Sequence, residues 1–128
     1  MKALIKTYAQ TKSILGICLG HQGIAEVFGA ELLLLDTVLH GIANRIEVIE
    51  HSYLFSDIPE TFQAGHYHSW TVNPESINGA LKVLAVDEDE NIMALCHKKY
   101  DLAGLQFHPE SVLTPVGETI IKNWINNK

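Results

Sequence analysis

Ser13-Ile14-Leu15-Gly16-Ile17-Cys18-Leu19-Gly20-His21-Gln22 decides how the rest of the chain is read. The apolar run from Ile14 to Ile17 predicts a buried strand of a parallel sheet. Residues Gln22 to Phe28 predict a helix. A cysteine between strand and helix, flanked as G-x-C-x-G, is the thiol form of a nucleophile elbow. Such a turn is tight, and Gly16 and Gly20 are both expected to let backbone approach where a Cβ would clash. The thiol then stands at a helix N-terminus, whose partial positive charge favours thiolate. The N–H of Leu19 is placed to donate to an oxyanion developing on the attacked carbon. A second reading stays open on these residues alone, with Cys18 as a small buried residue in a glycine-containing turn.

Composition narrows the surroundings of this elbow. A chain of 128 residues suits one domain with one core. Nine basic against fifteen acidic residues give a net charge of −6, which argues against a general nucleic-acid or anionic-membrane binder. Two cysteines, Cys18 and Cys96, make no disulfide scaffold and point to a reducing cytosol. No run approaches the roughly 20 apolar residues of a membrane span. Met1 to Thr7 has charge but no long apolar centre, so it does not read as a signal peptide.

Leu4, Ile5 and Tyr8 recur at helical spacing within Lys2–Gln10 and predict a short amphipathic helix. After the elbow, Ile24, Ala25, Val27 and Phe28 form the inner side of the second helix, with Gly29 as its stop. Strands are predicted over Glu31–Leu35, Gly41–Glu50, Thr61–Tyr67, Leu81–Asp87, Ile92–His97 and Leu102–Phe107. Thr114-Pro115 reads as an N-cap with proline at the first helical position. The helix that follows directs Ile120, Ile121, Trp124 and Ile125 inward. Helices at both ends with strands between them predict an α/β sandwich. A βαβ unit takes about 30 residues, yet only residues 1–12 precede the elbow stretch. The sheet is therefore expected to lack an opening strand-helix-strand.

Gly104-Leu105-Gln106-Phe107-His108-Pro109-Glu110-Ser111 carries the second chemical signal. In an extended segment His108 and Glu110 leave the same side. A carboxylate beside an imidazole holds its tautomer and stabilises the imidazolium. Such an imidazole needs a nucleophile, and Cys18 already has an elbow. The three then form a Cys-His-Glu triad with His108 as base and later acid. Taken alone, His-Pro-Glu also reads as a strand-end histidine beside a solvated carboxylate.

Leu15 to Gln22 and Gln106 to Ser111 together resemble the two signatures of the class I (triad) glutamine amidotransferases. Tyr67-His68-Ser69-Trp70 and the ending Ser111-Val112-Leu113-Thr114 look like the branch serving chorismate-using synthases. That branch comprises the small subunit of anthranilate synthase and the aminodeoxychorismate synthase amidotransferase. The resemblance covers nearly all of residues 1–128. It implies a flavodoxin-like, doubly wound mixed sheet. It also implies attack of Cys18 on the amide carbon of L-glutamine, a γ-glutamyl thioester, and ammonia passed to a synthase large subunit. No cofactor is implied. By motif position Gln22 would help hold the substrate, Ser69 and Trp70 would grip it through backbone groups, and the Leu19 N–H would be half of the oxyanion hole.

Two departures from the family pattern stand out. The family's domain opens with a strand-helix-strand and a Pro-Gly-Pro-Gly loop giving the second oxyanion N–H, and this chain starts after that loop. The family usually has lysine where Ile42 stands in His40-Gly41-Ile42-Ala43. Both the anthranilate and the 4-aminobenzoate roles stay open, as do another hydrolase and a domain that only binds its partner. A metal is not expected. His66 and His68 are spaced as ligands on a strand, but no clear third ligand accompanies them. Cys96 is expected to be structural, Asp87 to Glu90 a solvated turn, and Trp124 core.

Overall fold

Gly16 allows the turn that starts the fold. A β-carbon on it would fall 2.5 Å from the carbonyl carbon and oxygen of Gly20 and 2.8 Å from the His21 nitrogen. The same construction on Gly20 meets nothing within 4 Å, so only Gly16 is sterically required. The computed structural model describes the backbone of residues 1–128 and all side chains except those of 37–40. Helix α1 (Lys2–Tyr8) leads to strand β1 (Ile14–Ile17), and helix α2 (Leu19–Val27) follows at once. Strands β2 (Leu32–Val48), β3 (Thr61–Val72), β4 (Leu81–Asp87), β5 (Ile92–His97) and β6 (Leu102–Leu105) come next, and helix α3 (Gly117–Asn126) ends the chain. The six strands form one sheet in the order β1-β6-β5-β4-β2-β3. Only β1 and β6 pair in parallel, with Ile17 opposite Leu105, and the other pairings are antiparallel.

Two apolar clusters flank this mixed sheet. One joins Ile5 of α1 and Ile24 and Ala25 of α2 to Leu81, Ile92 and Leu95. The other joins Ile120 of α3 and Leu54 of the Tyr53–Phe55 turn to Ile46, Leu84, Met93 and Phe107. Covering both faces explains why β5 and β6 read as nearly unbroken apolar runs rather than alternating ones.

Several expectations change. Glu31–Leu35 and Gly41–Glu50 are not two strands but parts of the single strand β2, which absorbs the polar break through register shifts between Leu34 and Leu39 and between His40 and Ile42. The strand expected to end at Tyr67 runs on to Val72 as β3, so Tyr67 to Trp70 lie within it. In α1 only Ile5 is buried, while Leu4 and Tyr8 are exposed. In α3 Ile125 points outward and Trp124 is only half-buried against the core. Pro115 is not at the first helical position: α3 begins at Gly117, after Val116. Thr114 does not cap it, since its hydroxyl accepts the Gly65 N–H (2.9 Å) and donates to the His108 carbonyl (2.8 Å). Gly117 abuts the Pro109 carbonyl so closely that a β-carbon there would overlap the oxygen. Asp87 is buried rather than solvated. Its carboxylate accepts the Asp89 N–H, the Asn91 N–H and the Asn91 side-chain amide and so organises the β4–β5 turn.

Candidate active site

Cys18 ends β1 with φ 52° and ψ −98°, a left-handed conformation costly for a residue with a side chain. Its N–H donates to the Leu105 carbonyl (2.8 Å), and its own carbonyl accepts the Gln22 N–H (3.1 Å). Strand β6 and helix α2 thus grip the strained residue from both sides. Cys18 is 7% exposed. Burial pushes its pKa up, and the charge of Glu110 adds to this; the Leu19 N–H and the Gln106 amide pull the other way. The helix terminus was expected to favour thiolate, but burial holds the thiol above its ordinary value.

His108 follows β6 as Cys18 follows β1, so both leave the same end of two neighbouring parallel strands. The His108 N–H donates to the Gly65 carbonyl (3.1 Å), which ties the segment to β3. Nδ1 of His108 lies 2.7 Å from Glu110 Oε2. A carboxylate accepts, so Nδ1 carries the proton and Nε2 is left basic. The ring of Tyr67 stands edge-on to the imidazole, with centroids 5.3 Å apart. The Glu110 side chain is 68% exposed and that of His108 25%, so the pair opens to solvent while the thiol does not.

Of the remaining predicted residues, Gln22 and Trp70 meet directly. Trp70 C=O accepts from Gln22 Nε2 (2.9 Å) and His68 Nδ1 (2.8 Å). Both of its lone pairs are used, so this carbonyl is not open to a substrate. Gln22 is buried, Ser69 partly so, and the Trp70 and Leu19 side chains are exposed. His68 Nε2 lies 3.1 Å from His66 Nδ1. Burial lowers the pKa of both histidines, that of His66 to about 4. His21 is fully buried against Gly104, and burial holds its pKa at about 4. Among the described residues no group of three or more His, Cys, Asp or Glu is arranged to hold a metal. Ile42 is exposed on β2, and the side chain of His40 lies outside the described ones. A cavity of about 660 Å³ lined by Val48, Glu50, Tyr53 and Glu60 includes none of Cys18, His108 or Glu110.

Gln106 is a site residue that the motifs do not single out. It is fully buried; its Nε2 lies 3.7 Å from Cys18 Sγ and its Oε1 accepts from Gln22 Nε2 at 3.2 Å. The alternation that pairs His108 with Glu110 extends back to Gln106, so the signal was present.

The family model of class-I glutamine amidotransferases matches residues 1–127. The chain belongs to this family. Among its amidotransferase relatives, anthranilate synthase component 2 of Methanothermobacter thermautotrophicus is 45% identical over 115 residues, covering 89% of this chain and 57% of the relative. The aminodeoxychorismate/anthranilate synthase component 2 of Bacillus subtilis is 36% identical over 121 residues, covering 94% of this chain and 62% of the relative. The chain thus spans about three fifths of the length of these relatives. A Thermoplasma acidophilum crystal structure named for GMP synthase superposes with a TM-score of 0.87 at 25% identity, over 98% of this chain and 60% of that one. The mixed sheet with helices on both faces is accordingly the flavodoxin-like fold of the amidotransferases. No helix among the described residues is long and apolar enough to cross a membrane.

Proposed function

We propose that residues 1–128 act as a glutamine amidotransferase domain in which Cys18, His108 and Glu110 hydrolyse L-glutamine. The Cys18 thiol gives its proton to His108 Nε2, and the sulfur attacks the side-chain amide carbon. The Leu19 N–H stabilises the oxyanion as the tetrahedral species forms. His108 returns the proton to the departing nitrogen, and ammonia leaves a γ-glutamyl thioester. Water, deprotonated by the same imidazole, attacks the thioester and releases glutamate. Glu110 keeps the proton on Nδ1 throughout and steadies the imidazolium. Gln22 and the backbone of Ser69 and Trp70 border the bound amino acid, with the N–H groups of the strand rather than the Trp70 carbonyl as its contacts.

The observation that carries this reading is that the strained cysteine after β1 and the hydrogen-bonded His108–Glu110 pair after β6 leave the same end of two paired parallel strands. Ammonia is passed to a chorismate-using synthase in the cytoplasm, a reading supported by the component 2 names of the relatives as far as the partner is concerned. Anthranilate synthesis is the first reading. The Bacillus subtilis relative, named for both aminodeoxychorismate and anthranilate synthase, favours keeping the 4-aminobenzoate role as the second. Glutamate release from glutamine by the chain, alone and with each type of synthase, tests the proposal. Cys18→Ser is expected to abolish release while leaving the melting profile and partner binding intact. Undiminished release by that variant would remove Cys18 from the reaction. Partner binding without turnover by the wild type would leave a docking role only. The product formed with glutamine, anthranilate or aminodeoxychorismate, distinguishes the two pathways.

A further inference from the structure

One buried chain of amides runs from the Trp70 carbonyl to the nucleophile, and its direction is fixed by chemistry. A carbonyl only accepts, so Gln22 must present its nitrogen to Trp70. The same Nε2 has a second proton, which goes to Gln106 Oε1. With its oxygen committed to Gln22, Gln106 can only turn its nitrogen to Cys18 Sγ. The Trp70 carbonyl is itself held by His68. Turning Gln22 round would set acceptor against acceptor, and turning Gln106 round would set donor against donor. The Gln106 amide sits at full burial, where a hydrogen bond to a charged atom counts for more than in water.

We propose that Gln106 is a catalytic residue of this site, its amide N–H donating to the Cys18 thiolate, and that Gln22 is a positioning residue that fixes which way that amide faces. The proposal rests on Cys18 being the reacting thiol. The sulfur must carry negative charge both before attack and when the thioester breaks down, and Gln106 meets it with a fixed dipole that needs no reorganisation. The Leu19 N–H, next along the chain, also lowers the pKa of this thiol. Because the Leu19 N–H must also serve the oxyanion, Gln106 is the donor that stays with sulfur when the oxyanion forms.

The test reads the thiol directly, without glutamine. In a Cys96→Ser background, the rate of Cys18 alkylation by iodoacetamide is followed against pH, with thermal melting as the check on folding. Gln106→Leu is expected to move the alkylation profile up by about one pH unit and slow the reaction about tenfold at neutral pH. Gln22→Leu is expected to shift the profile in the same direction, and to add nothing when Gln106 is already leucine. If Gln106→Leu lowers the melting temperature too far to measure, Gln106→Met, unbranched and without a donor, carries the same test. Superimposable profiles for wild type and the Gln106 variants would overturn the catalytic role. Additive shifts from the two glutamines would overturn the positioning role. Neither result depends on turnover, so loss of this proposal and loss of the glutaminase reading are separate outcomes.

Discussion

At Gly16 and Gly20 two identical residues in one motif have different reasons to be there. Gly16→Ala would drive a methyl into the Gly20 carbonyl and the His21 nitrogen, backbone atoms that cannot rotate away. We expect a loss of at least ~1–3 kcal/mol in denaturant unfolding, because the turn has to widen. Gly20→Ala has open space and lies inside α2, where alanine is the better helix former by about 1 kcal/mol. It should unfold at equal or higher denaturant concentration. The motif G-x-C-x-G was legible as an elbow, but which glycine the turn requires was not. That depends on which way α2 leaves the strand. The same holds for Cys18: its place at the turn was readable, and its positive φ is what the place implies. The balance of burial against donors that sets its acidity depends on Gln106 and Glu110, distant in sequence.

Strand β3 and the segment after β6 are the elements that hold His108. Thr114 links them with one hydroxyl, taking the Gly65 N–H and giving to the His108 carbonyl. Thr114→Val keeps the shape and removes both bonds, leaving a buried N–H unpaired. We expect ~1–3 kcal/mol less stability and a drop in kcat larger than any change in KM, since the imidazole and not the substrate contacts is loosened. Steady-state glutaminase kinetics beside denaturant unfolding would check it. From the sequence, Thr114-Pro115 looked like a helix start, because the local pattern fits one. A contact to a strand about fifty residues earlier took the hydroxyl instead, and tertiary demands of this kind leave no local trace. Strand β2 illustrates the same limit. Its polar break read as the gap between two strands, whereas pairing with β3 carries the backbone straight across it through shifts in register. The apolar runs of β1, β4, β5 and β6 were legible because burial on two faces writes itself into consecutive residues.

Across the whole molecule, three histidines among the described residues are buried, His21 on α2 and His66 and His68 on β3. Burial holds the pKa of both His21 and His66 at about 4, and lowers that of His68. The unfolded chain binds protons at these positions from its ordinary value near 6.5 downward, while the folded chain resists until about 4. Stability is therefore complete above pH 6.5 and falls as pH drops from 6.5 towards 4. The loss is on the order of 3 kcal/mol for His21 and for His66 at the acid end. Denaturant unfolding at a series of pH values should show this slope, and His66→Gln should flatten part of it. An unchanged midpoint between pH 7 and pH 4.5 would contradict it. The sequence displayed these histidines without saying what they were for. Two of them had a metal-like spacing, and only the fold shows that they face each other and the Trp70 carbonyl, ring nitrogen to ring nitrogen.

Gly117 gives the last helix a use beyond its own burial. With only a hydrogen where a side chain would stand, α3 starts flush against the Pro109 carbonyl, between the proton-carrying ring and its carboxylate neighbour in the chain. Helix and hinge then act as a buttress and the wall it supports. A wedge as small as one methyl, inserted at that seam, would displace the segment that carries His108 without altering an atom of Cys18, His108 or Glu110.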